Sequence, residues 1–280
     1  MGDTPYFRLL AFDLDGTLLP YGEPPRPRVV DALRRAQAAG VIVTLATGRA
    51  PSTARPYAHR LGITAPIICF QGGRVVDPGS GESLYARTYP LALARAVLMY
   101  ARALEEELGD GWAPLVYQGD EMYVTRLWLS EEEYREFFAP RWHYLNSFDE
   151  LPEAPVDKII FVGEPSKLDA LQPRLRERFQ GLVEVVRSWR IFLEVTALGV
   201  TKGNALAWLA RYLGIPRERV VAVGDADNDI SMLRWAGLAV AMGHAPPEVK
   251  AVADVIAPPV EEDGAAWVID YVLGENSGDR

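Results

Sequence analysis

Two carboxylates stand close together near the start of the chain, directly after an apolar run. Asp13 and Asp15 follow residues 7–12, and Gly16 just beyond them gives the backbone the freedom to turn. A carboxylate pair at the end of a strand can supply a nucleophile and a proton donor to one site. Taken alone, the pattern is also typical of an Asp-rich turn, so it favours chemistry only if other motifs join it.

A second acidic cluster lies far away in the sequence, again after an apolar run. Asp225, Asp227 and Asp229 follow residues 220–223. Carboxylates placed so close together repel one another unless a cation neutralises them. A site made of hard oxygen donors favours Mg²⁺, which keeps part of its water shell and takes further ligands from a bound phosphate. A solvated, capped turn is the alternative interpretation.

Two further motifs carry hydroxyl groups and a cation. Thr47, Gly48 and Arg49 follow the apolar run 41–46, and Thr-Lys-Gly at 201–203 opens a predicted helix. Hydroxyl and backbone N–H groups at a strand end bind phosphate oxygens well. A lysine at a helix start opposes the helix dipole and therefore favours a nearby anion. Each motif alone also fits a helix cap or a solvated lysine.

The elements that must position these motifs alternate between strand and helix. Strands are predicted at 7–13, 41–46 and 67–70, with helices at 27–39 and 51–61 between them. After residue 201 the alternation resumes with helices at 203–213, 228–236, 246–252 and 264–273 and strands at 220–223 and 238–241. This order predicts an α/β fold with a doubly wound parallel sheet, whose strand ends converge on one ligand-binding crevice.

The middle of the chain departs from that alternation and predicts an insertion. We expect helices at 90–108, 130–138 and 166–179, a hairpin of 115–117 with 122–124, and strands at 158–162, 182–187 and 191–196. The predicted domains are a core of residues 1–83 and 187–280 and an inserted domain of residues 84–186. The insert carries a formal charge of −7, out of −9 for the whole chain.

Taken together in this order, the four motifs resemble those of the haloacid dehalogenase superfamily of phosphatases that use an aspartate nucleophile. The match comprises Asp13-x-Asp-Gly-Thr, Thr47-Gly-Arg, Thr201-Lys-Gly and Gly224-Asp-x-x-Asn-Asp. The chain is most similar to the Cof-type sugar-phosphatase branch, in which a large α/β cap is inserted between the second and third motifs. The resemblance covers nearly the whole chain and implies a Rossmann-like core with an inserted α+β cap that sets substrate specificity.

The resemblance also implies a role for each matched residue. Asp13 would attack phosphorus and form an aspartyl-phosphate, Asp15 would act as general acid and then base, and Thr47 and Lys202 would hold phosphoryl oxygens. The implied cofactor is Mg²⁺, bound by Asp13, the backbone carbonyl of Asp15 and Asp225, with Asp229 either bound to the ion or hydrogen-bonded to one of its ligands. The residues implied to bind substrate are Gly16, Thr17, Gly48, Arg49, Gln71 and Asn228.

Two positions depart from the pattern of this branch and bear on substrate identity. Gln71 stands where the branch has an asparagine, which would place its amide one methylene further out. His244 stands in a Gly-His-Ala segment where the branch often has Gly-Asn-Ala, and it is either a substrate contact or an ordinary loop histidine. In the insert, Arg187, Trp189 and Arg190 are candidate specificity residues, although hinge packing is the favoured interpretation of Trp189.

The amino-acid composition and net charge limit the kinds of molecule that this protein is expected to bind. Hydrophobic residues make up 49% of the chain and charged residues 24%, which is typical of a globular protein. The net charge of −9 argues against nucleic acid or an anionic membrane as a partner, and no apolar run reaches the ~20 residues of a membrane span. A single cysteine, Cys69, and scattered histidines disfavour disulfides and zinc and suit the cytoplasm.

The expected activity is therefore Mg²⁺-dependent hydrolysis of a small, sugar-phosphate-like monoester. Two alternatives stay open. A phosphomutase would use much the same residues but return the phosphoryl group to its product, and a non-catalytic protein would only bind a phosphorylated ligand. Neither the substrate nor the oligomeric state follows from the sequence.

Overall fold

The computed structural model describes residues 5–20, 22–138 and 141–275, and in it the chain forms two compact units. The first unit, called the core, comprises the described parts of Met1–Gly48, Ala54–Tyr85 and Thr201–Arg280. The second unit, called the cap, comprises Ala86–Val200 together with the short segment Arg49–Thr53.

The elements alternate between strands and helices in the core and are dominated by strands in the cap. The helices are α1 (Pro27–Ala38), α2 (Pro51–Arg60), α3 (Leu91–Leu108), α4 (Glu131–Phe137), α5 (Pro165–Arg178), α6 (Lys202–Tyr212), α7 (Ile230–Trp235), α8 (Pro247–Lys250) and α9 (Gly264–Leu273). The strands are β1 (Leu9–Phe12), β2 (Ile42–Leu45), β3 (Ile67–Cys69), β4 (Arg74–Val76), β5 (Ser83–Ala86), β6 (Trp112–Gln118), β7 (Glu121–Val124), β8 (His143–Tyr144), β9 (Lys158–Gly163), β10 (Val183–Trp189), β11 (Phe192–Ala197), β12 (Val220–Gly224), β13 (Leu238–Ala241) and β14 (Val255–Ile256).

The core is built on a five-stranded, wholly parallel sheet in the order β14-β13-β12-β1-β2. Successive residues of β1 contribute to two hydrophobic clusters, one on each face, because helices cover both sides of the sheet. Phe12 is in register with Leu45 on β2 and with Val223 on β12, so these three strands end at the same edge. The predicted doubly wound α/β core is confirmed.

The third predicted strand leaves this sheet. β3 is linked to it by a single parallel bridge between Ala46 and Ile68, and pairs instead with β4 in an antiparallel, three-stranded sheet, β3-β4-β5. The expected third strand is therefore present and parallel to the end of β2, but it belongs mainly to this second sheet. The turn after β3, where Phe70 and Gln71 adopt positive φ angles, reverses the chain and brings β4 alongside β3.

The cap contains a six-stranded sheet in the order β10-β11-β9-β6-β7-β8. All of its pairs are antiparallel except β7 with β8. The predicted hairpin is confirmed, since Gln118 of β6 is in register with Glu121 of β7. The apolar faces of α3 and α5 pack on one side of the sheet, against side chains such as Trp112 and Phe161.

The domain boundary that we expected at residue 187 falls inside β10, so the structure places the end of the cap further along the chain. β10 and β11 form a hairpin whose second strand pairs with β9, so the cap continues to Val200 and the core resumes at Thr201. Within the described part of the chain, no helix is both long enough and apolar enough to cross a membrane.

Candidate active site

The first carboxylate of the site extends directly from the end of β1. The Asp13 N–H group donates a hydrogen bond to the Val223 carbonyl at 2.9 Å, which continues the parallel pairing by one residue. The Asp13 side chain is nearly buried, and its Oδ1 accepts a hydrogen bond from Lys202 Nζ at 2.5 Å. A strand end thus places a carboxylate next to a cation inside the core.

Lys202 is the first residue of α6 and is 1% exposed. Thr201 caps the helix, since its hydroxyl accepts a hydrogen bond from the Asn204 N–H group at 3.1 Å. The next residue, Gly203, lies so close to the Ser231 carbonyl that a Cβ would overlap it, which is why this position needs glycine. This close packing holds the start of α6 where the Lys202 amine can reach two carboxylates.

The loop after β12 supplies the other carboxylates. Asp229 Oδ2 accepts hydrogen bonds from the N–H groups of Asp225 and Ala226 at 2.9 and 3.0 Å. Thr17 donates to Asp225 Oδ1 at 2.7 Å, and a Cβ on Gly16 would lie 2.5 Å from Asp225 Oδ2. The two acidic motifs are therefore held against each other, and the Thr17 hydroxyl, expected to bind substrate, is instead bonded to Asp225.

Lys202 bridges two of these carboxylates, donating to Asp229 Oδ1 at 2.6 Å as well as to Asp13. Burial alone would lower the pKa of Lys202, but the Asp13 and Asp229 carboxylates outweigh this effect and raise it. Burial raises the pKa of Asp13, and the negative charges of Asp229, Asp225 and Asp15 raise it further, against the opposing effect of Lys202. At this site the buried carboxylates of Asp13, Asp225 and Asp229 therefore outnumber the buried amine of Lys202.

The donor set fits a divalent cation. One ligand oxygen from each of Asp13, Asp225 and Asp229 lies within 4.8 Å of the others, and all three residues are buried. Hard carboxylate oxygens are the ligands that Mg²⁺ prefers. The Asp15 side chain is not part of this trio and is half-buried, so the expected contribution of its backbone carbonyl stays a prediction.

The Thr47 motif joins the same region of the core. The Thr47 N–H group donates to the Ile68 carbonyl at 2.9 Å, and the Gln71 N–H group donates to the Thr47 carbonyl at 3.1 Å. Asn228 Nδ2 donates to Gln71 Oε1 at 3.0 Å, and the Gln71 amide lies against Gly48. The structure thus gathers these four candidates around the turn after β3. Arg49 lies in the segment that groups with the cap, and its role stays a prediction.

His244 is a neighbour of the site whose role the sequence left open. Its Nε2 lies 3.7 Å from Asp225 Oδ2, and Nδ1 accepts a hydrogen bond from the Val260 N–H group at 3.4 Å. The nearby Asp225 carboxylate raises the pKa of the imidazole, against the opposing effect of partial burial. The sequence signal for this position was the Gly-His-Ala segment, which stands where the branch often has Gly-Asn-Ala.

The chain resembles known proteins along nearly its whole length. Residues 10–269 match the model of a family described as haloacid dehalogenase-like hydrolase. An HMP-PP phosphatase of Serratia proteamaculans is 35% identical over 250 residues, which covers 88% of this chain and 87% of that protein.

Solved structures of the same family share the fold. A haloacid dehalogenase-like hydrolase of Bacteroides thetaiotaomicron superposes with a TM-score of 0.82 at 31% identity, covering 95% of this chain and 99% of the other. A subclass IIB sugar phosphatase superposes with a TM-score of 0.77 at 26% identity, with the same coverage. The resemblance inferred from the four motifs is confirmed, and the chain belongs to the haloacid dehalogenase-like hydrolase family.

Proposed function

We propose that this protein is a Mg²⁺-dependent phosphatase that hydrolyses a small phosphorylated metabolite through an aspartyl-phosphate on Asp13. The observation that carries the proposal is the buried cluster in which Lys202 bridges Asp13 and Asp229 while Asp225 adds a further carboxylate. A nucleophilic carboxylate beside a fixed lysine and an acidic cation site is the set of groups that phosphoryl transfer requires.

In the first half-reaction, Asp13 attacks the phosphorus of the ester. A bond forms between an Asp13 oxygen and phosphorus, and the bond from phosphorus to the ester oxygen breaks. A phosphate dianion repels a carboxylate, so the attack needs positive charge at the reacting oxygens. Lys202 supplies part of this charge, and because it is anchored by two carboxylates it needs little reorganisation during transfer.

The other candidates take the roles that their positions allow. Asp15 protonates the leaving oxygen and, in the second half-reaction, takes a proton from the water that attacks phosphorus and releases Asp13. Thr47 and Gly48 contact phosphoryl oxygens from the end of β2, while Asn228 contacts the substrate from the loop after β12. Gly16 and Thr17 contribute by holding Asp225 in place.

Asp13, Asp225 and Asp229, with the backbone carbonyl of Asp15, would hold the Mg²⁺ ion. When bound, the ion offsets the negative charge of the phosphoryl group and of the surrounding carboxylates. The excess of buried carboxylates over lysine supports this assignment, because an uncompensated buried charge is unfavourable.

The names of the relatives support a proposal for the substrate class. One relative is named an HMP-PP phosphatase and one structural neighbour a sugar phosphatase. We therefore propose a sugar-phosphate-like monoester, with the cap, residues 86–200, selecting the leaving group.

A panel of phosphorylated metabolites, assayed for phosphate release with Mg²⁺ and with EDTA, tests this function. We expect release from a subset of the panel with Mg²⁺, loss of activity in EDTA and recovery when Mg²⁺ is restored. Full activity in metal-free buffer would remove the acidic site from the mechanism.

The same panel distinguishes the alternatives. A phosphomutase would produce an isomer of the substrate, visible by ³¹P NMR, without net phosphate release. A protein that only binds its ligand would release no phosphate and form no isomer, yet its melting temperature would rise with the ligand.

A further inference from the structure

The turn after β3 holds its backbone in an unfavourable conformation. Phe70 and Gln71 have φ angles of 51° and 59°, and Gly72 follows with 101°. The left-handed region suits glycine, whereas side chains such as those of Phe70 and Gln71 adopt it rarely and at a cost. Both side chains are nevertheless buried, so the turn is neither loose nor exposed. Strain of this kind persists only where the surrounding structure enforces it.

Contacts with two of the sequence motifs enforce the turn. The Gln71 N–H group donates to the Thr47 carbonyl at 3.1 Å, and the Gly73 N–H group donates to the Phe70 carbonyl at 2.9 Å. Gly72 lies against the Thr201 carbonyl so closely that a Cβ there would overlap it. The turn therefore packs between the end of β2 and the start of α6, the helix that carries the proposed catalytic lysine, Lys202.

The left-handed conformation directs the Gln71 side chain toward a third motif, the acidic loop that contains Asn228. Its Oε1 accepts a hydrogen bond from Asn228 Nδ2 at 3.0 Å, and its Nε2 lies against Gly48, where a Cβ would overlap it. The glycine at position 48 thus makes room for this amide. One side chain contacts both the Thr47-Gly48 motif and the loop of Asp225 and Asp229.

This hydrogen bond fixes the orientation of the Asn228 side-chain amide. Nδ2 is bonded to Gln71, while Oδ1 is buried and has no hydrogen-bond donor among the described residues. A buried acceptor without a donor is costly, and such atoms in native structures call for an explanation. The orientation that Gln71 imposes therefore leaves the oxygen of the Asn228 amide, and not its nitrogen, without a partner among the described residues.

We infer that Gln71 is a positioning residue that acts through Asn228, fixing the orientation of its amide at the phosphoryl-transfer site. This inference rests on the proposed phosphatase function for its kinetic effect, but not for the hydrogen bond itself. It also revises the expectation that Gln71 binds substrate directly. This role explains the strained backbone at Phe70 and Gln71, because that backbone places the Gln71 side-chain amide beside Asn228.

The test is a double-mutant cycle between Gln71 and Asn228. Gln71→Gly removes the amide but suits the left-handed backbone, so its melting temperature should equal or exceed that of the wild type. We expect its kcat to fall roughly tenfold, as for one lost hydrogen bond, with KM within about twofold. Gln71→Gly combined with Asn228→Ala should be no slower than Asn228→Ala alone.

Two matched variants separate positioning from simple stability. Gln71→Ala lacks the amide and keeps the strain, so it should melt below Gln71→Gly while sharing its kcat. Gln71→Asn keeps an amide and tolerates the left-handed region, so it should recover part of the lost kcat. Additive losses in the cycle, or an unchanged kcat in Gln71→Gly, would overturn the inference.

A measurement independent of activity distinguishes failure of this inference from failure of the proposed function. The side-chain amide resonances of Asn228 in a ¹H–¹⁵N spectrum should shift in Gln71→Gly because Nδ2 loses its acceptor. If the wild type releases no phosphate and the shift is seen, the phosphatase proposal fails and the amide contact stands. If the Asn228 resonances do not move, the inference is wrong whatever the activity.

Discussion

The chain buries a lysine in each of its two units, and the two surroundings differ in charge balance. In the core, Lys202 is 1% exposed and donates to both Asp13 and Asp229. In the cap, Lys158 is 3% exposed and lies 2.9 Å from the buried Glu194. At the cap contact one carboxylate matches one lysine, whereas in the core two carboxylates share one lysine.

The difference separates a structural ion pair from a site prepared for a ligand. The buried pair of Lys158 and Glu194 is balanced in charge, and apolar residues could replace it at little cost. In the core the nearby carboxylate of Asp225 enlarges the excess of negative charge. That excess is unfavourable until a cation binds, so the core site should depend on its ligand and the cap pair should not.

The largest expected effect is that of Asp13→Asn, which keeps the size of the side chain and removes the proposed nucleophile. Phosphate release should fall by a factor on the order of 10⁴ or more. Asp227, the exposed aspartate of the second acidic motif, provides the matched control, since Asp227→Asn also removes one charge and should keep the rate within about twofold. Release by Asp13→Asn near the wild-type rate would break the proposed mechanism.

Replacing the core lysine should have the next largest effect on turnover. Lys202→Met removes the fixed positive charge at the transferring group, and kcat should fall roughly 10²–10³-fold, as when a transition-state donor is lost. The metal-free variant should also melt at a lower temperature, since Asp13 and Asp229 lose their partner. Added Mg²⁺ should restore part of this loss, which calorimetry with and without EDTA would measure.

Replacing Lys158, the buried lysine of the cap, tests whether its ion pair with Glu194 is independent of Mg²⁺. Lys158→Met leaves Glu194 buried and unpaired, which should lower the free energy of unfolding by about 3–5 kcal/mol. Adding Glu194→Met should recover most of this loss, and Mg²⁺ should not. Chemical denaturation of the single and double variants measures both effects. If Mg²⁺ rescued Lys158→Met as well as it rescues Lys202→Met, the two sites would not differ as argued.

The pH dependence of stability gives a smaller test. Burial raises the pKa of Asp13 in the folded protein, so ionising it as the pH rises costs the wild type stability. Asparagine does not ionise, so the Asp13→Asn variant does not lose this part of its free energy of unfolding. In EDTA, the stability advantage of the variant should therefore grow as the pH rises from the unfolded pKa of about 4 through the folded pKa, and then level off. An advantage that shrinks over this range would contradict the shift.

Much of the site was predictable because strand ends in a parallel sheet converge. Asp13, Thr47 and Asp225 each follow an apolar run, and the register of β1, β2 and β12 brings those runs to one edge. Lys202 was predictable from its place at a helix start. Each local pattern alone was ambiguous, and the combination of the four motifs with the topology of a parallel sheet made the prediction specific.

The remaining features depend on tertiary contacts that local patterns do not encode. Neither Phe70 nor Gln71 favours positive φ, so the reversal after β3 could not be anticipated from their types. The hydrogen bond from Thr17 to Asp225 joins residues that are far apart in the sequence, and no local pattern predicts it. The apolar strands of the cap resemble those of the core, so the return at Thr201 was placed 14 residues too early, at 187.

The smallest expected effect compares two helix caps of the same chemistry. Thr201 caps α6 in the core, and Ser130 caps α4 in the cap, where it and Glu133 form a reciprocal capping box. Replacing either residue by alanine should lower stability by about 1 kcal/mol. Only Thr201→Ala should also lower kcat, because its helix begins with Lys202, while Thr201→Ser should keep both stability and kcat. Equal kcat in Thr201→Ala and Ser130→Ala would mean that the two buried carboxylates, rather than the helix start, position the lysine.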